Sequence, residues 1–288
     1  AVNITSSTTG LIIPPSNVLI VYSLASGGVS IASLFLAGYL PGILMGLALM
    51  LVAAIWIKKK KYPAGERSSF KNITVTFLNA LPSLLLLVVV IGGIVTGIFT
   101  ATEASGVAVL YTLVLSFINR ELKISDLHSV FLGSVGTTAI VMLLIATSMS
   151  MSWVMSYENI PIAVSEALLG ISDNVFVILL IINLLLLFVG TFMDMTPAVL
   201  IFTPIFLPVV EALGVDPVHF GIMMVMNLCV GLCTPPVGSV LFIGVSVAKT
   251  SIQKVIKPLL PLYVAMFIVL LLVTFIPQIS LWLPELFE

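Results

Sequence analysis

The sequence predicts an all-α polytopic membrane protein, built from inverted repeats with a re-entrant hairpin and broken helices. Three observations point to that class. Of 288 residues, 60% are hydrophobic and 8% charged, and mean hydropathy is +1.29, which suits lipid rather than water as the main solvent. Several apolar runs reach the roughly 20 residues that cross a bilayer core. Two of them are interrupted by the same Gly- and Pro-containing pattern.

In chain order, an interrupted span over 1–28 comes first, then a span over 30–57 that stops on Lys58, Lys59, Lys60 and Lys61. A polar stretch over 62–71 leads to spans over 78–99 and, after the turn at Thr100 to Glu103, up to Ile118. Residues 119–126 carry Arg120 and Lys123, 129–155 cross again, and 160–169 form a weakly amphipathic segment. The apolar arms 175–189 and 198–210 are each too short to cross comfortably and flank a polar tip. That pattern predicts a re-entrant hairpin, tolerated only where the tip is buried in protein or lines a cavity. An interrupted span over 217–247 and a last span over 252–277 precede the tail 278–288.

This path places all 11 Lys and Arg on one side, which the positive-inside rule makes cytoplasmic. Glu158, Glu166, Asp173, Glu211, Asp216, Glu285 and Glu288 fall on the other side, where the hairpin enters and the C-terminus lies. The net charge of −1 excludes a broadly basic nucleic-acid surface. Cys229 and Cys233 share one apolar segment with no metal-ligand partners nearby, and read as buried thiols.

The pattern G-L-x-x-P-P occurs at Gly10 to Pro15 and again at Gly231 to Pro236, and the same spacing pairs Ser30 and Ile31 with Ser251 and Ile252. The span after the first copy ends on the lysines, so the first broken span runs inside to outside and the second runs the other way. Opposed copies of one broken helix are the signature of inverted-repeat transporters, whose sites lie near the midplane. The second copy follows a hairpin whereas the first follows almost nothing. The chain is therefore expected to be about two-thirds of a protein whose other hairpin precedes Ala1.

A Gly followed by two prolines cannot continue a helix, because proline has no N–H to give and pushes its predecessor out of the α region. Carbonyls are released, and around a cavity they are hard oxygen ligands for an alkali cation. Thr8, Thr9, Ser16, Asn17, Thr234 and Ser239 supply further oxygens nearby; a kink re-satisfied by neighbouring helices is the competing reading. Asp194, an acid at membrane depth in the hairpin tip, is a candidate for cation, proton or substrate contact, or a helix cap ahead of Pro197. Glu103 reads as a cap or interface residue rather than a ligand, and His128 and His219 as interfacial groups rather than proton relays. The methionines at 142, 149, 151, 155, 223, 224 and 226 read as lipid or core filler.

Five segments together resemble the large membrane subunit of tripartite ATP-independent periplasmic (TRAP) transporters. They are I-P-P-S-N (Ile13 to Asn17), the run from Ser30 to Gly42, G-I-F-T-A-T-E-A (Gly97 to Ala104), G-T-F-M-D-M-T-P (Gly190 to Pro197) and G-L-C-T-P-P (Gly231 to Pro236). The resemblance implies an elevator-type transporter of the ion-transporter superfamily in a bacterial inner membrane. Its implied partners are a small membrane subunit, the lipid bilayer and a periplasmic binding protein that delivers a small organic anion, with no nucleic acid. It further implies sodium as coupling ion, held through Gly10, Ile13 and Pro15 at the first break and Gly231, Thr234 and Pro236 at the second. Asp194, Thr191, Thr196, Ser16 and Asn17 would serve substrate or coupling. A transport domain would take 1–28 and 174–250, and scaffold and connecting helices 29–173, with cytoplasmic loops near 58–71 and 119–126. The last helix and a periplasmic C-terminus would take 251–288. The wording from Ile13 to Ala25 looks closer to sialic-acid than to C4-dicarboxylate members.

Rival classes find less support. No repeated pore segment suggests a channel, no H-E-x-x-H or G-x-S-x-G suggests an enzyme, and no nucleotide-binding motif suggests ATP-driven transport within the chain. A stand-alone sodium/dicarboxylate-type carrier of similar architecture is the main alternative.

Overall fold

The computed structural model describes residues 1–60, 69–172 and 174–287, with only the backbone of Lys59 and Lys60. Most of the basic loop expected near 58–71 therefore lies outside the described residues, as do Asp173 and Glu288. The described residues are helical throughout, with no strand. This is what a long apolar chain requires, since a helix satisfies every backbone polar group within itself.

The helices are α1 (Val2–Ser7), α2 (Thr9–Ile12), α3 (Asn17–Ala25), α4 (Ile31–Lys60), α5 (Phe70–Val95), α6 (Ala101–Ile118) and α7 (Leu127–Tyr157). Then follow α8 (Ile160–Leu169), α9 (Val175–Gly190), α10 (Met195–Ala212), α11 (Pro217–Leu232), α12 (Ser239–Val247), α13 (Ile252–Phe275) and α14 (Gln278–Phe287). Among the described residues, 6 helices are long and apolar enough to cross a membrane, or 7 if the pair Val2–Ile12 and Asn17–Ala25, bent by 50°, is one span. Three elements differ from expectation. Helix α10, at 18 residues, is long and apolar enough to cross a membrane, whereas the arm 198–210 was expected to be too short. Helix α5 starts at Phe70 rather than near 78 because Ser69 is extended at its cap (φ −66°, ψ 146°), so the turn holding Lys71 and Asn72 is already helical. The tail after 277 is a helix, opened by Pro277, whose carbonyl accepts from Leu281 N at 2.9 Å.

Contacts divide the chain into two units, Ala1–Lys60 with Ile145–Glu288, and Lys61–Leu144. In the smaller unit α5 packs on α6, and the Tyr111 hydroxyl donates to Pro82 O at 2.6 Å. Thr100 and Glu103 form a capping box at the start of α6, with Thr100 N donating to Glu103 Oε2 at 2.8 Å. Glu103 is thus a cap, as its spacing implied.

The larger unit is built around α11, which is buried on every side, as expected for a helix apolar all round. Helices α2, α3, α4, α9, α10, α13 and α14 pack against it. Met223, Met224 and Met226 fill this core, whereas Met142, Met149 and Met151 are exposed.

Hydrogen bonds fix the helix directions. The Tyr22 hydroxyl of α3 donates to Pro217 O at 2.6 Å, with the carboxylates of Glu211 and Asp216 nearby. The last turns of α3 and α10 therefore lie at the start of α11, and since α3 packs on α10 these two helices run parallel. His219 is buried there, against Ser280 Oγ at 2.6 Å and Thr274 O at 3.3 Å, which brings the end of α13 and the start of α14 to the same end. His219 is an interior joint of three helices rather than an interfacial group. The Ser280 hydroxyl also reaches Pro277 O at 3.0 Å, so this serine links His219 to the turn that opens α14. Farther along, Asn227 Nδ2 donates to Asn183 Oδ1 at 2.7 Å and Asn183 Nδ2 to Thr274 Oγ1 at 3.1 Å, tying α9 and α13 to α11.

Candidate ion and substrate site

The first break lies between α2 and α3. Ile13 is extended (φ −75°, ψ 126°), the Pro14–Pro15 peptide is cis, and the chain becomes helical again at Asn17. Ser16 closes the gap, donating from its hydroxyl to Leu11 O at 2.6 Å and accepting Leu19 N at 3.5 Å as the α3 cap. The sequence placed Ser16 among the substrate candidates; the structure buries it at 2% exposure with its donor engaged. Asn17 and Pro15 are exposed, Ile13 is half-buried, and Gly10 is exposed.

The second break lies between α11 and α12, with a cis Pro235–Pro236 peptide. Gly238 has φ +41°, and a Cβ there would lie 2.7 Å from Thr234 O and 3.0 Å from Leu232 O. Two carbonyl oxygens of the broken helix therefore converge on Gly238, and only glycine leaves them room. The Thr234 hydroxyl donates to Val230 O at 2.7 Å, and Gly231 O accepts Thr234 N at 2.8 Å. Convergent hard oxygens suit an alkali cation.

The hairpin formed by α9 and α10 delivers its tip to this second break. Gly190 and Gly231 meet backbone to backbone: a Cβ on Gly231 would sit 2.7 Å from Gly190 Cα. Immediately beyond, Gly238 N donates to Thr191 O at 3.1 Å. Thr191 contributes this main-chain oxygen while its hydroxyl bonds Phe188 O at 2.7 Å. Asp194 precedes α10 in extended conformation (φ −72°, ψ 160°) and makes no side-chain capping bond. The cap expected as one reading of Asp194 is thus not made, and its exposed carboxylate is available to a ligand. Thr196, half-buried, follows in the first turn of α10.

The two breaks are joined by the cysteines, both free and buried. Cys229 Sγ donates to Thr8 O and Cys233 Sγ to Ile4 O, each at 3.4 Å. As the number rises by four on α11 it falls by four along α1 and α2, so these helices are antiparallel. Thr8 and Cys229 are also 221 residues apart, the spacing between the two G-L-x-x-P-P copies. Parallel α3 and α10 share their C-terminal ends, but α3 has 9 residues and α10 has 18, so Ser16 and Asn17 lie roughly 13 Å short of Asp194 and Thr196 along the helix axis. Among the described residues, Asp194 forms no hydrogen bond to either break.

Gly238, Gly190 and the Leu232 carbonyl escaped the sequence reading. The signal for Gly238 was present, as a glycine two residues past a Pro-Pro pair; the Gly190 contact lies between segments about 40 residues apart and carries no local signal.

The family described as tripartite ATP-independent periplasmic transporter, DctM component, matches residues 1–279. The chain is 58% identical over its whole length to YgiK, an uncharacterised protein of Salmonella typhimurium, covering 66% of that protein. It is 41% identical to the sialic acid TRAP transporter large permease protein SiaM of Vibrio cholerae, over 96% of this chain and 65% of the relative. With the C4-dicarboxylate TRAP transporter large permease protein DctM of Pseudomonas aeruginosa it shares 39% identity, over 97% of this chain and 66% of the relative. The chain thus spans just under two-thirds of the length of these relatives. A helical multi-pass membrane architecture and a match over nearly the whole chain together place this protein in the DctM component family of tripartite ATP-independent periplasmic transporters.

Proposed function

We propose that the chain forms the ion- and substrate-handling part of a sodium-coupled importer of a small organic anion. The observation that carries this reading is the docking of a re-entrant tip, with its exposed Asp194, on a helix break whose Leu232 and Thr234 carbonyls converge beside Gly238. Sodium would be held by main-chain oxygens at this break, around Gly231, Thr234 and Pro236, and at the first break, around Gly10, Ile13 and Pro15. The anion would lie near the start of α10, around Thr191, Asp194 and Thr196, with Ser16 and Asn17 at the first break serving substrate or coupling.

The inverted repeat has geometric support. The turn from α3 to α4 lies at the end shared with Pro217, while α13 has its Thr274 at that end, so the turn from α12 to α13 lies at the opposite end. Lys249, Lys254 and Lys257 go with that opposite end, and Glu211 and Asp216 with the first. The positive-inside rule then makes the Lys end cytoplasmic and the end carrying α14 periplasmic. In this reading 1–28 and 174–250 move as an elevator against the rest, with a small membrane subunit and a periplasmic binding protein as partners.

Proteoliposomes holding the full-length membrane complex test the reading with labelled sialic acid and, separately, succinate. Uptake of one acid that requires both a sodium gradient and the binding protein is expected. Uptake driven equally by a proton gradient alone would remove the sodium assignment, and uptake without the binding protein would favour a stand-alone carrier.

A further inference from the structure

We infer that Tyr263 is a positioning residue of the second break, holding it from the long helix α13 where the first break is held by its own Ser16. The inference rests on the sodium reading above and adds a residue to it. The phenol of Tyr263, on α13, donates to the main-chain oxygen of Cys233, the first residue past the end of α11. Tyr263 is 9% exposed, so this bond is made inside the protein, where leaving a carbonyl unpaired is costly.

At the first break a hydroxyl also holds a released carbonyl, that of Ser16 on Leu11 O at 2.6 Å, but among the described residues none comes from the long helix α4. The residue 221 positions before Tyr263 is Gly42, and the counterpart of Cys233 is Ile12. On α4 the face turned to the first break is Gly38 and Gly42. A Cβ on Gly38 would lie 2.5 Å from Ile12 O, and one on Gly42 would strike the Ile13 side chain. There the long helix supports the break by backbone proximity alone. At the second break the equivalent face carries Leu259 and Tyr263, and a hydroxyl fixes the corresponding carbonyl.

Cys233 is held from both sides, since its thiol donates to Ile4 O at 3.4 Å on α1. Its peptide plane is therefore set by α13 and α1 together. The flanking oxygens of Leu232 and Thr234, which converge on Gly238, keep their directions only while that plane is fixed. Tyr263 thus occupies one released carbonyl so that its two neighbours stay aimed at the ion, without touching the ion itself.

The test uses the full-length membrane complex with its binding protein in proteoliposomes, comparing wild type with Tyr263→Phe, which keeps the ring packing and removes the donor. Sodium titration of wild-type uptake comes first. If wild-type uptake ignores sodium, the functional reading fails and the Tyr263 role falls with it. If wild-type uptake depends on sodium, Tyr263→Phe is expected to raise the half-saturating sodium concentration about three- to tenfold, the net scale of one hydrogen bond. Substrate KM at saturating sodium and membrane insertion are expected to stay unchanged. An unaltered sodium titration in Tyr263→Phe, or an equal loss at all sodium concentrations, overturns the proposal while leaving sodium coupling intact. Tyr263→Leu separates packing from hydrogen bonding: the same sodium shift as in Tyr263→Phe is expected, and a shift only in Tyr263→Leu would assign Tyr263 to packing.

Discussion

Asp194 shows how one side chain can be judged by what it declines to do. An aspartate in the N-cap position of a helix ordinarily accepts a backbone N–H and stabilises the helix by about 1 kcal/mol; here the position is right but the bond is not made. A carboxylate kept at a hairpin tip without that return fits a ligand-facing role. Asp194→Asn is expected to cut uptake by about tenfold or more while the protein inserts and melts as wild type; unchanged uptake kinetics would reduce Asp194 to a tip residue without a role. This residue was legible in the sequence as a lone acid between two apolar arms. Ser16 was legible only in part, because a hydroxyl beside two prolines serves equally to bind a ligand or to close the chain. The structure gives its donor to Leu11.

At the scale of elements, the hairpin and the second broken helix act as one piece because two glycines let their backbones touch. Gly231→Ala places a methyl against Gly190 Cα at 2.7 Å, which must push α9 away and take the Gly238–Thr191 bond with it. A destabilisation of about 1–3 kcal/mol is expected from such overpacking, read as a lower melting temperature in detergent together with lost uptake. Full uptake with an unchanged melting temperature would show that this contact does not hold the site. The helices themselves were readable from apolar runs, Pro and Gly, and the breaks from two copies of one pattern. Start points were less so: α5 begins a full two turns before its continuous apolar run, because a polar turn can be helical where it need not enter lipid. The tail helix α14 was missed because Pro284 lies within it and its anchor, Ser280 on His219, is a contact between distant segments.

For the whole molecule, the helices leading into the two breaks run antiparallel and touch at Thr8 and Cys229, a residue and its own counterpart 221 positions on. On the proposed inverted-repeat reading, counterparts that touch in this way lie near the two-fold axis that relates the repeats. Sequence alone gave opposed directions from the lysines, but not which residues lie at the axis, since that depends on packing among α1, α2 and α11. In the proposed function, ion and anion cross together through the candidate site. The most direct measurement is the entry of radiolabelled sodium into proteoliposomes holding the full-length complex, with no sodium gradient imposed, on adding the binding protein loaded with its anion. The account expects sodium to enter in fixed ratio to the anion; anion entry with no accompanying sodium would contradict it.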